Sequence, residues 1–333
     1  MTVTSTPARQ RTRVGWGDLA WLTWRQHRWQ LVALAGAVAL VALLCLVVTW
    51  VVNATGTPHH DIPVLGDFTG AIRMATIAAT GFGGLVAVFW AAPLLSREYE
   101  QKTTVVVWTQ DITPVRWLAG KVVLLGVPAV GLAAALGSAL VTAQHALNSV
   151  SGDYPMFPPF RDGPFESVPL VQVGYAAFGF ALGLVTSAIT RRTVLSMGLA
   201  LGAFIAARVA VAKLWRPYYQ TPLREVEPYS TPYAFGPQDP HMYVASGYLD
   251  AAGNEIEFPR ACLDAPVVDV QSTGSRNGFE QCLRENGVVD KFLDYQPVER
   301  VTAFQLIEFG VFALLAAGLL ALAFTWLRRT RRT

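Results

Sequence analysis

The chain has 333 residues, 53% of them hydrophobic and 15% charged, with a mean hydropathy of +0.37. Soluble domains carry about 25% charged residues, so this deficit excludes a soluble fold and implies a chain that crosses a bilayer several times. The net charge of +3 conceals charges that are segregated along the sequence.

The polar start, GWGDLAWLTWRQHRW, mixes Trp16, Trp21, Trp24 and Trp29 with Arg25 and Arg28. Such a segment suits a helix lying in the cytoplasmic interface, so residues 1–30 are read as a cytoplasmic N-terminus with an interfacial helix. A plain extension of the first span, anchored by its aromatic residues, is the alternative. The apolar core that follows, about 31–52, exceeds the roughly 7–15 residues of a secretory signal and is read as a retained span.

Further apolar runs follow at about 72–95, 121–145, 168–190, 194–213 and 303–327. With the first this makes six, each able to cross about 30 Å of hydrocarbon at about 1.5 Å rise per residue. Only Arg191, Arg192 and Thr193 separate the fourth from the fifth, which predicts a tight helical hairpin. The expected fold is thus an all-α polytopic membrane protein of six transmembrane helices.

Lysine and arginine set orientation. With both termini placed in the cytoplasm, the inside segments hold fifteen cations and four acids, and the remainder holds eleven cations and nineteen acids. The polarity repeats at all four inside segments, so the chain is read as N-in, C-in. Residues 31–213 then form helices 1–5 with a cytoplasmic loop at 96–120, and 303–333 form helix 6 with a basic tail.

That orientation puts 214–302 outside as a small domain between helices 5 and 6. It holds Cys262 and Cys282, with nineteen residues between them. Cytosolic thiols would stay reduced, but on the oxidising side these two are expected to pair, closing a loop worth about 3 kcal/mol in the chain-entropy model. Short strands and loops stapled by that bridge are expected there.

Catalytic signatures are sparse. Pro58-His59-His60-Asp61 lacks a spaced second ligand pair, so no metal site and no catalytic residue is assigned. No G-x-x-x-x-G-K-[ST] occurs, and the glycines of ATGFGG (79–84), Gly179-x-x-x-Gly183 and Gly198-x-x-x-Gly202 are read as helix-packing positions. Charges inside spans are costly. Arg208 and Glu308 lie at similar depth in helices 5 and 6, which suggests an intramembrane ion pair.

The loop between helices 2 and 3 reads LLSREYEQKTTVVVWTQDITPVRWLAGKV (94–122). Thr113-Pro114 has the form of an N-cap followed by an N1 proline. The loop is therefore read as a helix–turn–helix elbow whose mixed charges suit an exposed docking surface. L-S-R-E-Y-E-Q-K-T and W-T-Q-D-I-T-P-V-R-W-L-A-G-K resemble the first cytoplasmic loop of ABC-2 type exporter permeases, especially an actinobacterial group. T-W-R-Q-H-R, R-V-A-V-A-K-L-W-R-P-Y-Y and the two-cysteine segment before the last span are similar too.

The resemblance covers essentially the whole chain and implies a bacterial plasma-membrane permease without its own ATPase. It implies ATP and magnesium on a separate ABC ATPase subunit, two copies of which serve two permease halves, here expected as a homodimer in the bilayer with no nucleic acid involved. Carried over residue by residue, Glu98, Glu100, Thr103, Thr109, Arg116 and Trp117 become candidate ATPase contacts. Lys102 stands where many relatives have glycine, which puts the turn there in doubt. The rival readings are a membrane-anchored receptor or assembly factor working through 214–302, and an intramembrane enzyme.

Overall fold

The computed structural model describes residues 15–55, 63–101, 113–152, 155–229, 240–264 and 277–330. Its helices are α1 (Trp16–Thr55), α2 (Pro63–Thr80), α3 (Phe82–Glu100), α4 (Val115–Ser149), α5 (Asp162–Ser167), α6 (Pro169–Thr190), α7 (Thr193–Tyr218), α8 (Asn277–Glu285) and α9 (Val301–Thr330). Among the described residues, α1, α4, α6, α7 and α9 are each long and apolar enough to cross a bilayer. The sixth candidate is a broken one: the stretch expected at 72–95 is α2 and α3, bent by 48° at Gly81.

Helix α1 is one unbroken rod of 40 residues, about 60 Å long at 1.5 Å per residue. No break sets an interfacial helix apart from the span. The segment expected to lie in the interface is instead the first part of α1, because nothing between Trp16 and Thr55 terminates the helix. Trp16, Trp21, Trp24 and Trp29 are exposed along it.

Helix α6 is the hub of the bundle and packs against α3, α4, α7 and α9. Its glycines make this possible. A Cβ on Gly179 would stand 2.0 Å from the Gly83 carbonyl oxygen, and one on Gly183 would stand 2.4 Å from that of Ala87. The α3 and α6 backbones therefore touch directly, as small-residue faces permit in membranes. The same expectation fails for Gly198 and Gly202, which open onto empty space on α7. Within α3 a widened π-helical turn, Val86–Ala91, lies along this contact.

The predicted hairpin between α6 and α7 is present. Arg191 closes α6 in a left-handed conformation, φ 54°, and α7 begins two residues later at Thr193. The predicted start of α4 is present as well: the Thr113 hydroxyl accepts a hydrogen bond from the Arg116 amide, with Pro114 in the first turn.

The segment between α7 and α9 holds a β-sheet besides the short helix α8, so the all-α description holds for the bundle alone. Strands β1 (Leu223–Pro228), β2 (Met242–Leu249), β3 (Glu255–Ile256) and β4 (Asp290–Gln296) form an antiparallel sheet in the order β1-β4-β2-β3. Asp250 closes the β2–β3 hairpin by accepting from the amides of Asn254 and Ala252, and the Asn254 amide in particular holds its carboxyl below the usual range. The expected disulfide joins Cys262, in the short turn Arg260–Asp264, to Cys282 on α8. Buried Gln296 ties the sheet to the bundle by donating to the carbonyls of Pro217 and Gln220.

Candidate functional site

Two polar constructions lie at opposite ends of the bundle. The first is at the sheet-domain end, where charges are buried among apolar helices. Burying a charge in hydrocarbon costs several kcal/mol unless it is paired. Here every buried charge is paired, in an alternating chain from Arg208 through Glu166 and Arg216 to Glu308.

Arg208 of α7 donates to the Glu166 carboxylate of α5. Glu166 also accepts from Arg216 at 3.0 Å. Arg216 makes a two-pronged contact with Glu308 of α9, Nε at 2.8 Å and Nη2 at 2.7 Å. Tyr175 of α6 donates its hydroxyl to the same carboxylate. At the rim, Asp162 meets Arg216 at 3.2 Å and Lys213 at 3.0 Å. Tyr219, beyond the end of α7, approaches Glu308 at 3.4 Å, and burial reinforced by that carboxylate raises its phenol above the usual range.

The expected Arg208–Glu308 pair is therefore replaced by two different pairs. Depth counted from span ends does not select partners here, because α5 inserts Glu166 between them. In addition, a widened turn at Val211–Trp215, followed by a tight one at Arg216–Tyr218, buries Arg216 almost completely. Glu166, Arg216 and Tyr175 were missed by the sequence reading. The available signal was arithmetic: Arg208 and Arg216 are two cations near one span end, and a single acid in helix 6 cannot neutralise both.

The cluster also repairs the broken span. A helix that stops leaves carbonyls unsatisfied at its C-terminus. At the end of α2, the Ala79 carbonyl accepts from Gln172 Nε2 at 3.0 Å, and the Thr80 carbonyl accepts from Arg208 Nη1 at 2.5 Å. A cation at that terminus also meets the negative end of the helix dipole. The bend, the charge chain and α6 are thus one unit.

The second construction is the elbow at the other end. Thr103 and Thr109 lie outside the described residues, as does the His59-His60-Asp61 run. Glu98 is not on an open surface: it pairs with Lys121 at 2.5 Å, and the two side chains keep 17% and 5% of their exposure. The same ammonium stands 4.2 Å from the ring centre of Trp117, which is buried. Glu100 accepts from the Thr193 amide at 2.8 Å and from its hydroxyl at 2.7 Å, which caps the first turn of α7.

Arg116 stacks over the ring of Trp16 at 5.2 Å. Ser187 of α6 accepts from the amides of Leu95 and Ser96 at 3.2 and 2.8 Å. Of the expected contact residues, Glu98, Glu100 and Trp117 thus have their side chains engaged inside the chain. Helix packing brings these contacts about, since α3 continues as a helix to Glu100 and meets α4 and the α6–α7 hairpin there; Glu98 and Trp117 turn inward while Glu100 stays exposed. The roles of Lys121, Ser187 and Thr193 were not foreseen. They follow from pairing between helices far apart in sequence.

Residues 54–216 match the family model described as ABC-2 membrane transporter related. The match takes in α2 to α7, the elbow and every member of the charge chain except Glu308. No curated protein and no solved structure matches the chain.

Proposed function

From the match of residues 54–216 to the ABC-2 membrane transporter related family model, we propose that the chain is the membrane-spanning subunit of an ATP-driven exporter. The match and the long apolar helices support a permease component of an ABC transporter and a multi-pass membrane protein. The export direction and the coupling to a separate ATPase are the reading offered here. So are N-in, C-in insertion in a bacterial plasma membrane, with 214–302 extracytoplasmic, and assembly as two permeases with two ATPase subunits. ATP and magnesium would reside on that partner.

One observation carries the coupling argument. The end of α3 is hydrogen-bonded or ion-paired to three other helices, through Ser187 to α6, Glu100 to α7 and Glu98 to Lys121 of α4. A force applied to the elbow is passed to all three, as rigid-body rocking requires. A second reading, a receptor acting through the sheet domain, draws on the ordered four-stranded fold.

The test is co-purification with any ABC ATPase encoded beside this chain, followed by ATP hydrolysis in lipid with and without the chain. A stable complex with altered turnover supports the permease reading. Absence of any complex, together with a ligand bound by the sheet domain, supports the receptor.

A further inference from the structure

A cavity of about 280 Å³ opens on the flank of the bundle between α2, α5 and α7. Its walls include Ile77, Ile205 and Val209, which are exposed, the last two on α7, long and apolar enough to span a bilayer, and the first on α2, half of the bent pair. Asp162, Arg208 and Lys213 also line it. A lateral opening with an apolar wall and a charged end fits an amphiphile rather than a soluble metabolite.

The charge arithmetic narrows the headgroup. The ion-paired cluster behind the cavity contains three cations, Arg208, Lys213 and Arg216, and three carboxylates, Asp162, Glu166 and Glu308. A net anionic or cationic headgroup would leave one charge uncompensated in a low-dielectric setting. A zwitterion would not. Lys213 and Asp162 face each other at 3.0 Å, with side chains 64% and 60% exposed, so they can part without unburying the core pairs. Their opposite charges then complement a phosphate and an ammonium. The buried Arg208 Nε, which has no hydrogen-bond partner, is a further donor beside them.

We propose that this cavity is a binding site for a zwitterionic phospholipid of the surrounding bilayer. Its phosphate lies by Lys213 and Arg208, its ammonium by Asp162, and an acyl chain runs along Ile77, Ile205 and Val209. The bound lipid would span the break in α2–α3 and the end of α7. The proposal rests on the membrane-spanning reading and not on the ATPase partnership.

The full chain, purified in detergent without any ATPase, is titrated with phosphatidylethanolamine or phosphatidylglycerol and examined by native mass spectrometry. The wild type is expected to retain phosphatidylethanolamine in preference. Lys213→Gln removes one charge-assisted contact and should weaken retention about fivefold. Ile205→Trp, which fills the wall from an exposed position, should weaken it without touching a charge, at unchanged thermal stability. Equal or greater retention of phosphatidylglycerol overturns the proposal on the wild type alone. Unchanged retention in both variants also overturns it.

Discussion

Arg216 grips Glu308 through two nitrogens, at 2.8 and 2.7 Å, and both side chains are almost fully buried. Two-pronged guanidinium–carboxylate contacts are the strongest of their kind, and breaking a buried pair from one side costs about 3–5 kcal/mol. The two partners are not equivalent, however. Arg216 also holds Glu166 and Asp162, so Arg216→Met leaves Glu308 without a cation and takes a second cation from the other two, which keep Arg208 and Lys213, whereas Glu308→Gln leaves Arg216 with two acids. Arg216→Met is expected to lose most of the folded protein and Glu308→Gln distinctly less. Fluorescence-detected gel filtration after a heating series would rank them, and equal losses would mean the chain of charges does not act as described.

The contact of α3 with α6 makes a sharper steric claim. At Gly179 even a methyl group would overlap the Gly83 carbonyl, and the obstacle is backbone that cannot rotate away. Gly179→Ala should therefore destabilise the bundle by about 1–3 kcal/mol, the range for overpacking. Gly202→Ala, with open space around it, should be within about 0.5 kcal/mol of wild type. Thermal melts of both variants in the same detergent would decide the matter.

The disulfide between Cys262 and Cys282 should stabilise the sheet domain and little else. Its loop of 20 residues corresponds to about 3 kcal/mol in the chain-entropy model. The paired variant Cys262→Ser/Cys282→Ser is expected to make 240–300 more protease-sensitive while leaving α1 to α7 intact. Mass mapping of limited-proteolysis fragments reads this directly. Cleavage inside α6 or α7 at the same rate would show that the bridge supports the bundle as well.

These outcomes depend on features that the sequence disclosed unevenly. Hydropathy and length located the spans, and local chemistry located the Thr113-Pro114 cap and the Arg191–Thr193 hairpin, because each depends on neighbours along the chain. The break at Gly81 did not show, since glycines within an apolar run signal close packing and bending alike. Glu166 was hidden for a different reason. It belongs to α5, a helix of six residues too short for any periodicity, yet its insertion decides which arginine meets which acid. The partners of Glu98 and Glu100, Lys121 and Thr193, did not show either, because they come from helices remote in sequence.

Those partners change what mutations at the elbow should do. Glu100 spends both carboxylate oxygens on Thr193 and so caps the first turn of α7, satisfying an amide that the helix itself leaves free. If an ATPase drives the bundle through this end, Glu100→Ala should loosen transmission to α7 while leaving the docking surface in place. The expected phenotype is a normal amount of ATPase in pull-downs, with substrate-dependent hydrolysis and transport uncoupled. Thr193→Ala keeps the carboxylate and the amide contact but removes the 2.7 Å hydroxyl contact, so it should give a weaker version of the same defect. Loss of the ATPase from the pull-down in Glu100→Ala, with Thr193→Ala unaffected, would instead make Glu100 a direct contact and detach the cap from coupling.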